Sequence, residues 1–143
     1  MKQLGIIALI LCAQTLGFAQ SKAYDILGKW ETEARDGKME IYRCGDHYCG
    51  TLLEGKNIIN ADGSSKKDVK NPDANLRSRD LVGMTILSGL DFDGEQYQQG
   101  RIYNADNGKT YKCYVWLEAD ILHLRGYLGL KAFGQTSKWH RIQ

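Results

Sequence analysis

The residues able to do chemistry fall into three sets. The first is Cys44, His47 and Cys49 in the run Arg43-Cys44-Gly45-Asp46-His47-Tyr48-Cys49. Thiolates and an imidazole are zinc ligands, but structural zinc sites draw four ligands from two knuckles, and no second knuckle is present. A four-residue turn places Cys44 and Cys49 opposite each other on adjacent strands, so a disulfide is expected there and no metal.

The second set is Asp68, Asn71, Asp73, Asn75, Arg77 and Arg79, inside the stretch from Gly55 to Asp80 that also holds the one proline, Pro72. Arg77 and Arg79 each carry a planar fork suited to carboxylate or phosphate. Asparagine and aspartate fix a loop by bonding its own backbone. Two outcomes stand open. Either these residues tie the loop across the end of the fold, with the arginines paired to Asp68, Asp73 or Asp80, or Arg77 and Arg79 meet an anionic ligand or partner.

The third set is Tyr97, Arg101, Tyr103, Trp116, Arg125 and Tyr127 on the later strands. Aromatic rings mixed with arginine suit a cavity for a small amphipathic molecule. They suit a half-exposed sheet face equally well, and alternation alone does not say which of them point inward.

Catalysis needs an acid, base or nucleophile that is held and activated. His47 falls at a hairpin tip, His123 shares a strand face with Arg125 and Tyr127, and His140 shares one with Lys138. Neither Gly-x-Ser-x-Gly nor His-Glu-x-x-His occurs. Gly108-Lys109-Thr110 resembles the end of a phosphate loop, but the upstream glycine would fall at Tyr103. Asp91-Phe92-Asp93-Gly94 and Asn104-Ala105-Asp106-Asn107-Gly108 lack the ligand spacing and terminal glutamate of calcium loops. No catalytic residue and no cofactor is therefore assigned, and a hydrolase or isomerase is the weakest of the functional readings.

The elements that must position these sets are strands. Apolar residues recur with a period of two, and turn residues punctuate the chain at short intervals, as in an antiparallel meander. After a short turn over Ala23 to Leu27, strands are expected from Gly28 to about Arg35, Met39 to Cys44 and Tyr48 to Leu53. Across the loop they resume at Val82 to Leu87, Glu95 to Tyr103, Lys109 to Glu118, Ile121 to Leu128 and about Gly134 to Ile142. Asn71-Pro72-Asp73 is expected to start a short helical turn through Ala74 to Arg77. On the sixth strand Tyr111, Cys113, Val115 and Leu117 share one face, so Cys113 reads as a small buried residue. About eight antiparallel strands either pack as two sheets or close on themselves, and closure removes unpaired edges. The expectation is an all-β, small antiparallel barrel with one long loop between the third and fourth strands. An eight-stranded barrel is filled by its side chains or holds one small ligand.

Lys2, the apolar run from Leu4 to Leu11 and the small residues ending at Ala19 read as a cleaved signal peptide over residues 1–19, leaving residues 20–143 as one domain. Lipoprotein attachment at Cys12 is the rival, with Leu11 standing where a small residue is wanted. Gln14 and Thr15 interrupt the run well short of the roughly 20 residues a membrane span needs, and no transmembrane segment is expected in the mature chain. Without Lys2 the chain carries 18 basic and 17 acidic side chains. This balance gives no electrostatic case for nucleic acid or an anionic membrane. Export to the periplasm or cell exterior makes a disulfide chemically reasonable.

Gly28-Lys29-Trp30, Cys44-Gly45 with Cys49-Gly50, Asn71-Pro72-Asp73 with Leu76-Arg77-Ser78-Arg79, and Leu81-Val82-Gly83 occur in order, followed by Gly108-Lys109-Thr110-Tyr111, Arg125-Gly126-Tyr127-Leu128-Gly129 and Trp139-His140-Arg141. Together they resemble the bacterial exported family known as domain of unknown function 2147. The resemblance implies a lipocalin-like β-barrel with no established activity. Gly28-Lys29-Trp30 also resembles the lipocalin opening, which implies a structural role for Trp30, packed beneath Arg141 from the last strand. Two functions follow as expectations. One is a non-enzymatic binding protein for a small apolar or amphipathic ligand; the other is a filled barrel that docks on an envelope protein through the loop 55–80.

Overall fold

The computed structural model describes residues 22–143, and the expected signal peptide and the Cys12 alternative lie outside the described residues. Eight strands close into one antiparallel barrel in simple sequential order. They are β1 (Gly28–Thr32), β2 (Gly37–Cys44), β3 (His47–Gly55), β4 (Thr85–Phe92), β5 (Tyr97–Asn104), β6 (Lys109–Glu118), β7 (Ile121–Tyr127) and β8 (Gln135–Ile142). The barrel closes where β1 pairs with β8, with Trp30 opposite Arg141. Closure leaves no row of unpaired backbone groups.

The first strand ends at Thr32, earlier than alternation suggests, because the Thr32 hydroxyl accepts the N–H groups of Asp36 and Gly37 and draws the chain into a turn. The fourth strand starts at Thr85 rather than Val82, because the Met84 N–H turns back to the Leu81 carbonyl while Gly83 and Met84 otherwise bond only to Leu52 of β3, and it runs on to Phe92. The segment between β3 and β4 therefore spans 56–84. We call it the strap.

The strand directions put the turns of 44–47, 92–97 and 118–121 at one end of the barrel with the N-terminal residues. The strap and the turns of 104–109 and 127–135 lie at the other. The first end is plugged. Ile26 is fully buried, Trp30 Nε1 donates to the Ile26 carbonyl, and the Tyr97 hydroxyl donates to the Lys22 carbonyl. Arg141 lies 4.3 Å from the Trp30 ring centroid and donates to the carbonyls of Leu27 and Asp25. A cation over an aromatic face, with its remaining donors spent on backbone oxygens, fixes the N-terminal turn over the barrel floor.

Above this floor the barrel is filled. Met39, Ile41, Leu87, Leu90, Cys113 and Val115 are all buried in one cluster with Leu122, Leu124 and Trp139. Gly100 shows how tightly. A side chain there would start 2.5 Å from Leu90 Cδ2 and 2.8 Å from Cys113 Sγ, so the wall strand supplies no side chain at that point. Burial pushes the Cys113 thiol up to about 12, and it is an inert filler rather than a nucleophile.

Candidate functional site

The mouth opposite the floor is divided between a covered half and an open half. Over the β3 to β5 side the strap buries Ile58, Leu81 and Met84 against Leu52 and Ile86. One carboxylate holds it there. Asp68 is 1% exposed and accepts the Tyr103 hydroxyl at 2.6 Å, Asn71 Nδ2 at 2.8 Å, and Arg79 Nε and a terminal guanidinium nitrogen at 3.0 and 2.9 Å. Burial by itself would raise the Asp68 pKa. The donors from Tyr103, Asn71 and Arg79 outweigh it, and the carboxyl lies below the ordinary carboxylate value. The same environment, burial first and then the Asp68 bond, pushes the Tyr103 hydroxyl up to about 12.

The strap continues its internal bonding on either side. Asn71 Oδ1 accepts the Asp73 N–H, Asp73 caps the short 3-10 turn Ala74–Leu76 by accepting the Asn75 N–H, and Arg77 Nε donates to the Asn71 carbonyl. Pro72, at the start of this turn, lines a recess of about 280 Å³ on the outer wall with Arg79, Arg101 and Tyr103. Of the expected arginine pairings, Arg79 to Asp68 is formed, while Asp80 takes Lys67 instead.

Over the β5 to β8 side the mouth is open. A cleft of about 510 Å³ is lined by Ile102, Tyr111, Leu124, Tyr127, Phe133 and Ser137, among others. Strand pairing explains which of these face inward. Val115 and Cys113 point into the barrel, their partners across β6 and β7 are Leu124 and Gly126, and directly paired residues share a face. Tyr111 continues that face toward the mouth opposite Ile102. Gly126 leaves this wall low, with Ile102 and Tyr111 at 3.5 and 3.7 Å from where its side chain would begin. The lining is mixed, with apolar Ile102, Leu124 and Phe133 beside polar Asn104, Gln135 and Thr136. Asn107 donates to the Tyr111 hydroxyl, and Ser137 accepts from Trp139 Nε1 at 2.8 Å. Such a surface can seat an apolar body and orient one polar end.

The six residues Tyr97, Arg101, Tyr103, Trp116, Arg125 and Tyr127 are not brought to one place. Tyr97 is buried on the floor, edge-on to Tyr48. Arg101 is exposed on the outer wall, and Tyr103 is bound to Asp68. Trp116 lies on the outside of β6, stacked between Tyr114 and His123. Arg125 clamps the β7 to β8 turn, donating to the carbonyls of Lys131 and Ala132 and to the Thr136 hydroxyl. Tyr127 alone of the six lines the cleft. Sequence reasoning did not single out Ile102, Leu124, Phe133 and Ser137. Carrying the inward face of β6 through the Ala119-Asp120 turn onto β7 would have found Leu124.

Cys44 and Cys49 are joined across the β2 to β3 hairpin with Cα atoms 5.8 Å apart. Their sulfurs are thus unavailable as zinc ligands, and His47 turns to Asp91 at 2.5 Å. Among the described residues no cluster of histidine, cysteine, aspartate and glutamate is arranged to hold a metal. None of their helices is long and apolar enough to cross a membrane.

A closed eight-stranded barrel with a plugged floor and an open, partly apolar mouth defines a lipocalin-like protein. The chain belongs to the family described as an uncharacterized protein conserved in bacteria, DUF2147, which matches residues 28–141. It is similar in structure to the protein HP1028 of Helicobacter pylori, which is described as belonging to the lipocalin family. The TM-score is 0.70 at 27% identity, over 82% of this chain and 83% of that one. No curated protein matches the sequence.

Proposed function

We propose that the protein is an exported, non-enzymatic carrier that takes a small apolar or amphipathic molecule into the open half of its barrel mouth. The carrying observation is the cleft over Leu124 and Gly126, which the strap leaves uncovered while it seals the neighbouring half. Because the lower barrel is packed, the ligand is shallowly seated: its apolar part lies on Ile102, Leu124 and Phe133, and its polar end meets Tyr111, Asn107 or Ser137. The disulfide and the bacterial family are compatible with export to the periplasm or exterior.

Native mass spectrometry after gentle purification tests this, together with titration of an environment-sensitive fluorescent fatty acid. Ile102→Trp fills the cleft from one wall and should abolish probe binding while the melting temperature holds. Unchanged probe binding in that variant, or no uptake by the wild type, would remove the proposal.

The alternative is docking on an envelope protein through the strap. Its support is the internal bonding that holds Arg77 exposed on a preformed surface. Arg77→Glu should then abolish capture of that partner while costing no more than the one bond to the Asn71 carbonyl, about 1 kcal/mol. Arg79→Glu is the uninformative choice, since Arg79 is part of the Asp68 anchor.

A further inference from the structure

The turn between β7 and β8 carries three large apolar side chains in the open. Leu128 is 56% exposed, Leu130 66% and Phe133 81%. Single exposed apolar residues are ordinary, but here three lie within six positions of one turn, and Leu128 and Phe133 border the same cleft. The turn holding them is braced. Its short 3-10 turn, Lys131–Phe133, is clamped from beneath by the three Arg125 bonds, so the apolar tip is presented in one shape rather than left to collapse.

The charges within the tip and on the wall beneath it are basic. The segment from Ile121 to Gln143 has no aspartate or glutamate, and of its four cations Arg125 and Lys131 belong to the tip, while Lys138 and Arg141 lie toward the floor. Lys131 stands within the tip, its Nζ 4.8 Å from the Tyr114 ring, and Lys112 pairs across from Tyr127 on the same outer face.

The geometry points to a lipid surface as the partner of this tip. Leu128, Leu130 and Phe133 enter the boundary between headgroups and acyl chains, and Lys131 and Lys112 meet anionic headgroups. An apolar insertion joined to a few cations is the two-part signal that reversible bilayer binding needs. Leu128 and Phe133 also line the cleft, so the tip sets the cleft mouth against the bilayer. The inference goes beyond the carrier proposal and stands without it.

Vesicle flotation of the full chain tests it, with liposomes of phosphatidylethanolamine and phosphatidylglycerol compared with phosphatidylcholine alone. Binding should favour the anionic vesicles and weaken as salt is raised. Leu130→Ser with Phe133→Ser should lower the bound fraction about tenfold, since partition scales with buried apolar area. Lys131→Glu should lower it on anionic vesicles only. Both sites are exposed, so the melting temperature should hold. Absence of flotation, or flotation indifferent to Leu130 and Phe133, would overturn the inference. So would a dimer in sedimentation that Phe133→Ser converts to monomer, since a second copy would then cover the tip. Flotation of a protein that takes no fluorescent fatty acid keeps this inference and removes the carrier proposal.

Discussion

The Tyr103 hydroxyl donates to Asp68 Oδ1 across 2.6 Å, joining a barrel strand to the middle of the strap over 35 positions of sequence. Asp68 is buried, so its partners stabilise the fold chiefly by preventing an unsatisfied charge.

Tyr103→Phe removes one of those donors and should cost about 1–3 kcal/mol in a urea melt. The same anchor sets an acid limit. The Asp68 carboxyl in the folded protein lies below its ordinary 3.8, so its contribution is present above that value and is lost as pH falls through the folded value. Melting temperature should therefore fall below about pH 4 in the wild type and fall less in Asp68→Asn, which starts lower. Tyr103 works in the opposite sense: its raised pKa gives stability that is present below 10.0 and lost as pH rises toward about 12. An acid limb of the same depth in Asp68→Asn would show that other carboxylates govern acid unfolding.

Gly108 should be irreplaceable where Gly63 is not. Both have left-handed backbone, with φ of +71° and +86°, and so share the conformational penalty for any other residue. A side chain at Gly108 would begin 2.0 Å from the Lys70 carbonyl oxygen, whereas nothing lies within 4 Å of one at Gly63. Gly63→Ala should cost about 1 kcal/mol and Gly108→Ala at least about 2, because the strap must lift from the β5 to β6 turn. Equal losses in thermal melts would show that the close approach is relieved cheaply.

The cysteines should separate cleanly by reactivity. Residues 20–143 should show one bridge by intact mass, with Cys113 unlabelled by iodoacetamide in the native state and labelled in denaturant. The bridge closes a short loop, so its reduction should cost only about 2 kcal/mol and leave the barrel folded. Labelling of Cys113 without denaturant would mean that the barrel wall opens on the labelling timescale.

Much of the fold was legible because β-strands write a period of two into the sequence. β6 was expected from Lys109 to Glu118 and is found there, and the cysteine hairpin formed as local turn chemistry dictates. What alternation does not carry is parity across a bulge. Tyr97 and Arg101 are four apart and should share a face, yet Tyr97 is buried inside while Arg101 is exposed outside. The register shifts between Tyr97 and Gly100, where Gln99 takes a φ of 62°, and one extra residue turns everything after it to the other side.

The sequence by itself determined most of the strands, the all-β class, the disulfide hairpin and the long insertion, since each depends on neighbours within a few residues, whereas closure rests on β1 meeting β8 across the whole chain. Tertiary structure decided that Asp68 would meet Tyr103 and Arg79, and that the strap would seal one half of the mouth and leave Leu124 and Gly126 beneath an open cleft. It also decided that Leu128, Leu130 and Phe133 would stand together at its rim. Those outcomes rest on strand register around a closed barrel, a long-range quantity that a single bulge can invert and that no local pattern records.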